Sequence, residues 1–154
     1  MTRFILLFLA LTVLFSFVFQ AFEQRRALEY TINRYVFSLS EGYEKFNMTP
    51  LREVATEREC DRVYHHMSAY GEARKKIISK MTAMEFLRFE NSGQSQYRVE
   101  TMEHWDFVHL DLDTQKIAQE FKDVAHHMVY TLEKESGKWL VGKVDFVDEN
   151  AEAK

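Results

Sequence analysis

Apolar residues fill the first part of the chain from Phe4 to Phe19, without a charge and on every face of the helix that they predict. Three further uncharged residues extend the run to about 19 residues, and a helix of that length crosses a hydrocarbon core of about 30 Å. A core helix of a globular protein would instead have one apolar and one polar face. The pattern therefore predicts a transmembrane anchor over residues 1–22.

The alternative interpretation of this segment is a cleaved signal peptide. Arg3 supplies the basic start of such a peptide and Ala21 could precede the cut, but Phe19 stands where a small residue is required. A single-pass, uncleaved signal anchor is therefore preferred, with lipid bilayer around residues 4–22. The short N-terminal tail favours the inner (cell) membrane with the next domain on the periplasmic or extracytoplasmic side, although two arginines just after the run oppose that orientation.

A second helical pattern, over residues 22–46, joins the apolar run without a proline or glycine break. Its apolar residues recur three and four positions apart, which predicts an amphipathic helix that continues the anchor. The apolar stripe could form a coiled-coil seam, but packing against the core of its own domain is preferred. The stripe consists of Leu28, Ile32, Tyr35, Leu39 and Phe46.

Helix-capping residues mark two more helices. Thr49 and Pro50 suit the start of a short helix over residues 51–55, because proline is tolerated at the first helical position. Thr56 begins the sequence TERE, whose second glutamate completes a capping box and predicts a third helix over residues 57–80.

From residue 82 the pattern repeats every second residue, which predicts β-strands. The odd-numbered residues 97–109 of the longest strand are expected to share one face. The fold class is therefore α+β: an N-terminal transmembrane helix, then helices packed on a curved antiparallel sheet of about four strands. The soluble domain is expected at residues 23–148 and an acidic tail at 149–154. The predicted strands cover residues 84–89, 97–110, 124–132 and 139–147.

Three stretches of the chain resemble the nuclear-transport-factor-2-like superfamily, a cone-shaped α+β fold. Its entry of helix, short helix and helix is similar to YEKFNMTPLREVATEREC, its long second strand to RVETMEHWDFVHLD, and its closing hairpin to HHMVYTLEKESGKWLVGKVDFVD. The resemblance is greatest to membrane-tethered, non-catalytic branches, whose domains bind partner proteins beside a membrane. The superfamily also contains ketosteroid isomerase and dehydratases, so the resemblance implies a fold and leaves the function open.

Composition and motifs exclude several functions. The 154-residue chain has a net charge of −4 and no basic stripe, so nucleic acid is not expected as a partner. Cys60 is the single cysteine, which excludes an intramolecular disulfide. The sequence has no glycine-rich phosphate loop, nucleophile elbow or haem-attachment motif, so no cofactor is predicted.

An isomerase-like site would need a carboxylate base and a hydrogen-bond donor inside the cone. Glu103 is the best candidate for the base, because it lies between Thr101 and Trp105 on a strand face that should be buried. Its alternative role is a buried ion pair, with Arg74 as the expected partner. The other candidates for such a catalytic site are Asp145, Tyr35 and Tyr70.

Six histidines pose the question of a metal site. Adjacent histidines point in different directions on a helix or a strand, so a site would have to gather one from each of three elements. Solvated or core histidines are the preferred interpretation, and no metal is predicted. The candidate ligands for a metal would be His66, His104 and His126.

The preferred function is a membrane-anchored, non-catalytic interaction domain, an accessory or assembly subunit of a larger membrane protein complex. The residues expected to contact its partner are Leu28, Ile32, Tyr35, Trp105 and Phe107. The alternative is a small-molecule-binding or isomerase/dehydratase-like pocket protein that uses Glu103. A deep closed cavity containing Glu103 would favour the pocket, and a filled cone with an exposed apolar patch would favour the interaction domain.

Overall fold

The structure is a computed structural model that describes the backbone of residues 2–147 and the side chains of residues 15, 16 and 18–147. The predicted acidic tail at 149–154 lies outside these residues. The elements in chain order are helix α1 (Thr2–Lys45), a 3₁₀ helix (Thr49–Glu53), helix α2 (Glu57–Glu72) and strands β1 (Lys75–Gly93), β2 (Gln96–Asp111), β3 (Ile117–Glu135) and β4 (Lys138–Phe146).

The four strands form one antiparallel sheet in the order β1-β2-β3-β4. Register shifts interrupt every pairing, and bulges of this kind bend a strand and increase its twist. The sheet is curved, and the helices pack against its concave face. The predicted α+β architecture with about four antiparallel strands is confirmed.

The core lies between the apolar stripe of α1 and the concave face of the sheet. Leu28, Ile32 and Tyr35 of α1 are buried, in agreement with the spacing of three and four that predicted the stripe. On β2, burial alternates as predicted, and Val99 and Thr101 are fully buried on the inner face. The polar side chains buried among these residues define the candidate site described below.

Helix α1 contradicts the predicted membrane anchor. Within the part of the chain whose side chains are described, no helix is long and apolar enough to cross a membrane. Glu23, Arg25 and Arg26 follow Phe22 in α1, so the apolar residues whose side chains are described form a stretch that is too short to cross a membrane. The earlier part of the predicted run lies outside the described side chains. The predictions of a single-pass signal anchor and of an inner-membrane protein with a periplasmic domain are wrong. The expected bilayer contact over residues 4–22 depended on the same helix.

The helix predicted over residues 57–80 ends much earlier, at Glu72. Arg74 takes a left-handed backbone conformation with φ of 56°, which stops a right-handed helix. From Lys75 onward the chain pairs with β2, so β1 is 19 residues long and includes residues assigned to the helix. Strand pairing over this length outweighs the weak helical periodicity of residues 73–80.

Candidate functional site

A half-open cleft of about 390 Å³ lies between the concave face of the sheet and the two helices. Its size falls within the range of about 300–1,000 Å³ that is usual for ligand-binding pockets. Its lining is mainly apolar, and polar groups stand at its floor and at its mouth. The apolar lining includes Val36, Leu39, Ile77, Met128 and Val144.

An aromatic wall closes one side of the cleft. Trp105 and Phe107 are stacked with ring centroids 5.7 Å apart and planes 16° apart. His126 of β3 lies 5.6 Å from Phe107, and Phe146 of β4 packs edge-on against His126 at 5.3 Å. These four residues lie on one face because strand pairing places directly opposed side chains on the same side of a sheet.

The floor of the cleft contains the buried carboxylate of Glu103, whose residue is 2% exposed. Its Oε1 accepts hydrogen bonds from the hydroxyl groups of Thr101, at 2.9 Å, and Tyr130, at 2.6 Å. Its Oε2 accepts one from Nε1–H of Trp105 at 2.8 Å. Burial, followed by the neighbouring charge of Glu103, raises the pKa of Tyr130 well above its usual value, so this hydroxyl remains a donor.

A second buried carboxylate belongs to Glu59 of α2. It accepts a short hydrogen bond from the hydroxyl of Tyr35, and Arg62 holds it with Nε at 2.8 Å from Oε2 and Nη2 at 2.6 Å from Oε1. Tyr35 packs edge-on against Tyr130, with ring centroids 6.1 Å apart, and so joins the two carboxylate clusters. Only half of the predicted capping box forms: the Glu59 N–H donates to Thr56 Oγ1 at 3.3 Å, but the Thr56 N–H donates to the carbonyl of Val141, and the Glu59 side chain is buried instead.

Aromatic side chains with polar ends surround the mouth of the cleft. The hydroxyl of Tyr43 is hydrogen-bonded to Nδ1 of His66, and Tyr70 packs edge-on against both rings. His109 continues the row at 6.3 Å from Tyr70 and lies 5.7 Å from Phe121. Burial raises the pKa of Tyr43 to about 12. The mouth therefore presents aromatic rings with polar ends.

The structure brings together only some of the residues proposed for an isomerase-like site. Glu103 and Tyr35 both line the cleft, but the hydroxyl of Tyr35 donates to Glu59. Asp145 pairs with Val129, next to Tyr130 on β3, and therefore lies on the opposite face of the sheet from the cleft. The register shifts between Thr131 and Leu132 of β3, where Gly142 of β4 has no partner. Because of this bulge, Asp145 does not share a face with Val141, as strict alternation along β4 would predict. A Cβ atom at Gly142 would approach Oε1 of Glu133 to 2.6 Å, so glycine suits the bulge.

Glu103 does not pair with Arg74 as expected. The guanidinium of Arg74 donates from Nε to Oδ1 of Asp113 at 2.8 Å, on the surface. The three histidines considered as metal ligands also lie apart. His66 stands at the mouth and His126 in the wall, but His104 lies on the outer face, where its Nδ1 is 2.7 Å from Oδ1 of Asp123. In the part of the chain that the structure describes, no group of three or more His, Cys, Asp or Glu side chains could hold a metal ion.

The five residues expected to contact a partner lie in the core or along the cleft. Leu28 and Ile32 are buried in the core, Trp105 and Phe107 line the cleft, and Tyr35 is buried and also contributes to the cleft lining. A second cavity, a shallow groove of about 860 Å³, lies between α1, the 3₁₀ helix and the β3–β4 hairpin, and Trp139 contributes to it. The two tryptophans of the chain therefore stand in two different cavities.

No protein-family model matches the chain, and comparison with curated protein sequences returned no match. Solved structures do share its fold. The intermembrane space region of the chloroplast protein ARC6 aligns with a TM-score of 0.68, at 11% identity, over 80% of this chain and 96% of that one. A structure from Catenulispora Acidiphila aligns with a TM-score of 0.55, at 9% identity, over 88% and 98% of the two chains.

These identities are so low that the likeness shows the fold alone. An Ntf2-like protein involved in plasmid conjugation aligns over 58% of this chain and 39% of its own, at 10% identity. Its TM-score of 0.39 is too low for any argument about a shared fold.

Proposed function

We propose that residues 23–148 form a non-catalytic binding domain of the nuclear-transport-factor-2-like type, which receives a side chain of a partner protein in the cleft. The observation that carries the proposal is the aromatic-walled cleft of about 390 Å³, because a cavity of this kind can enclose one large side chain. The order of helix, short helix, helix and four antiparallel strands supports the family assignment.

A protein partner is favoured because the apolar surface continues beyond the cleft. Phe146 forms part of the lining and is nevertheless 59% exposed, and Phe121, beyond the mouth, is 41% exposed. Aromatic residues are enriched in protein interfaces, where a central side chain in a pocket often supplies much of the binding free energy. A partner could place one side chain in the cleft and cover these rings with its surroundings.

A non-catalytic role is favoured because only some of the groups of an isomerase-like site are available in the cleft. Such a site needs a base, a general acid and a donor that converge on one substrate. Glu103 is in place, but Asp145 is on the opposite face and Tyr35 is engaged with Glu59. In this proposal Glu103 organises the floor of the cleft.

A small-molecule pocket is the second candidate, and one observation favours it: the cavity has the volume of a ligand site and contains Glu103. The cleft is half-open, whereas small-molecule sites usually enclose most of the ligand surface. A bound metabolite that co-purifies with the full chain, in the absence of any protein partner, would favour this second function.

Site-specific photo-cross-linking in cells tests the proposal. A photoreactive phenylalanine analogue replaces Phe146 at the edge of the cleft or, as a control, the exposed Leu87 of β1. We expect a defined protein to be captured at position 146 only. The captured protein, once purified, should bind the full chain and lose at least tenfold affinity for the cleft-filling variant Val144→Phe. The matched variant Val108→Phe, on the opposite face of β2, should bind normally; equal loss in both variants would contradict the proposal.

A further inference from the structure

We infer that the group received by the cleft is cationic, an ammonium or guanidinium on an aliphatic stem, supplied by a lysine or arginine of the partner. The inference rests on the proposed function, because it specifies the chemistry of the same cleft. Three features carry it: the uncompensated charge of Glu103, an open acceptor position on its carboxylate, and the aromatic wall.

The first feature is the charge of Glu103. Its hydrogen-bond partners, Thr101, Trp105 and Tyr130, are all neutral, and no lysine or arginine within the described chain forms an ion pair with it. Arg62 is the one lysine or arginine among the cleft-lining residues of the described chain, and its guanidinium is already bound to Glu59. Burial of an ionised carboxylate without a counter-ion is unfavourable, so a cation that enters the cleft gains attraction in a site of low dielectric constant.

The second feature is an unused acceptor position. An ionised carboxylate offers about four lone-pair positions to hydrogen-bond donors. Oε1 of Glu103 accepts two hydrogen bonds, and Oε2 accepts one, from Trp105. One position on Oε2 therefore has no donor among the described residues, and Glu103 lines the cleft, so an ammonium N–H from the partner can occupy it.

The third feature is the wall itself. The faces of aromatic rings attract cations, most strongly for tryptophan, and the attraction increases when the cation is desolvated. Trp105, Phe107 and Phe146 surround the approach to Glu103, and Leu39 and Val144 offer apolar contact to an aliphatic stem. Lysine and arginine combine such a stem with a charged end.

His126 does not supply the missing positive charge. It lies in the wall near Glu103, and burial lowers its pKa, while the charge of Glu103 raises it by a smaller amount. The imidazole is therefore neutral at pH 7 and leaves the carboxylate uncompensated. A neutral partner group would gain no charge attraction from Glu103, and an anionic group would be repelled by it.

The test is a titration of the full chain with three small probes that share a five-carbon stem: n-pentylammonium, 1-pentanol and hexanoate. The readout is the indole N–H resonance of Trp105 in the ¹H–¹⁵N spectrum, because this group donates directly to Glu103. Trp139→Phe assigns the signal, since the chain has two tryptophans. We expect n-pentylammonium to bind at least tenfold more tightly than 1-pentanol, and hexanoate to bind most weakly.

The results separate the two proposals. Equal affinity for n-pentylammonium and 1-pentanol would overturn the cationic inference and leave the apolar cleft intact. If no probe moves the Trp105 resonance, the proposed binding cleft fails as well. Glu103→Gln should abolish the preference for n-pentylammonium, whereas Glu100→Gln, on the outer face of β2, should keep it. If the Glu103→Gln variant folds and still prefers n-pentylammonium, the inference is overturned. If that variant does not fold, the comparison of the three probes in the unsubstituted chain decides whether the cleft prefers a cation.

Discussion

The indole Nε1–H of Trp105 donates a 2.8 Å hydrogen bond to Oε2 of Glu103, two residues earlier on the same face of β2. This bond fixes the orientation of the carboxylate that forms the floor of the cleft and also fixes the ring that begins its aromatic wall. Neither side chain can be changed without altering the other, because both are almost fully buried.

Glu103→Gln should destabilise the fold. The amide of glutamine can accept hydrogen bonds through one atom only, so its NH₂ group must face at least one of the three donors around Glu103. A buried donor left without an acceptor costs about 1–3 kcal/mol in free energy of unfolding. Denaturant unfolding measures the effect, and Glu100→Gln serves as the control with a loss below about 1 kcal/mol, because its carboxylate lies 3.6 Å from Nε2 of His127 and is not held by a hydrogen bond in the way that Glu103 is. An equal stability of the two variants would show that the network around Glu103 is not formed.

Arg62→Met should also reduce stability, because Arg62 supplies two charge-assisted hydrogen bonds to the buried Glu59. Hydrogen bonds to charged groups contribute about 1.5–3 kcal/mol to stability. Because the side chain of Arg62 is 56% exposed, we expect a loss at the lower end of this range. The control is Arg34→Met. Arg34 lies 4.0 Å from the carboxylate of Glu53, and this exposed ion pair should contribute less than about 1 kcal/mol. Urea unfolding gives the free energy of unfolding of both variants. A smaller loss of stability in Arg62→Met than in Arg34→Met would contradict the prediction.

Alkaline pH should weaken the fold through the tyrosines of the site. The pKa of Tyr43 is raised to about 12, chiefly by burial, whereas an unfolded tyrosine titrates near about 10. Between these values the unfolded state binds fewer protons than the folded state, so the free energy of unfolding falls as pH rises through that window and is unaffected below it. Burial shifts the pKa values of Tyr35 and Tyr130 in the same direction.

The contribution of Tyr43 is isolated by comparing Tyr43→Phe with Tyr30→Phe, a substitution at an exposed tyrosine of α1. The free energy of unfolding is measured at about pH 9 and about pH 11, on either side of the usual tyrosine pKa. The loss between the two conditions should be smaller in Tyr43→Phe than in Tyr30→Phe. Identical losses would show that Tyr43 titrates normally in the folded protein.

The sequence predicted the inner face of β2 because an alternating pattern needs no knowledge of the rest of the fold. Thr101, Glu103 and Trp105 were therefore placed together correctly. The position of Asp145 depends on the bulge at Gly142, and strand register across a bulge is a property of the paired strands rather than of one segment. The end of α2 depends on the left-handed backbone of Arg74, which no residue type in that segment signals.

Glu59 shows a different limit. Its position in TERE explains the helix start, and a local motif describes only the first turn of a helix. Its burial beside Tyr35 depends on the packing of α2 against α1, which brings together residues 24 positions apart in the chain. The membrane anchor was inferred from one apolar segment, and the arginines that follow it were used only to judge the orientation of the anchor, although they belong to the same helix.

The most direct test of the binding cleft uses the two tryptophans as separate reporters. Trp105 stands in the cleft, and Trp139 stands in the groove beside the β3–β4 hairpin. When the protein captured through position 146 is added to the ¹⁵N-labelled full chain, the indole N–H resonance of Trp105 should shift and that of Trp139 should stay in place. A shift of Trp139 with an unchanged Trp105 would contradict the account, because the partner would then occupy the hairpin groove and not the cleft.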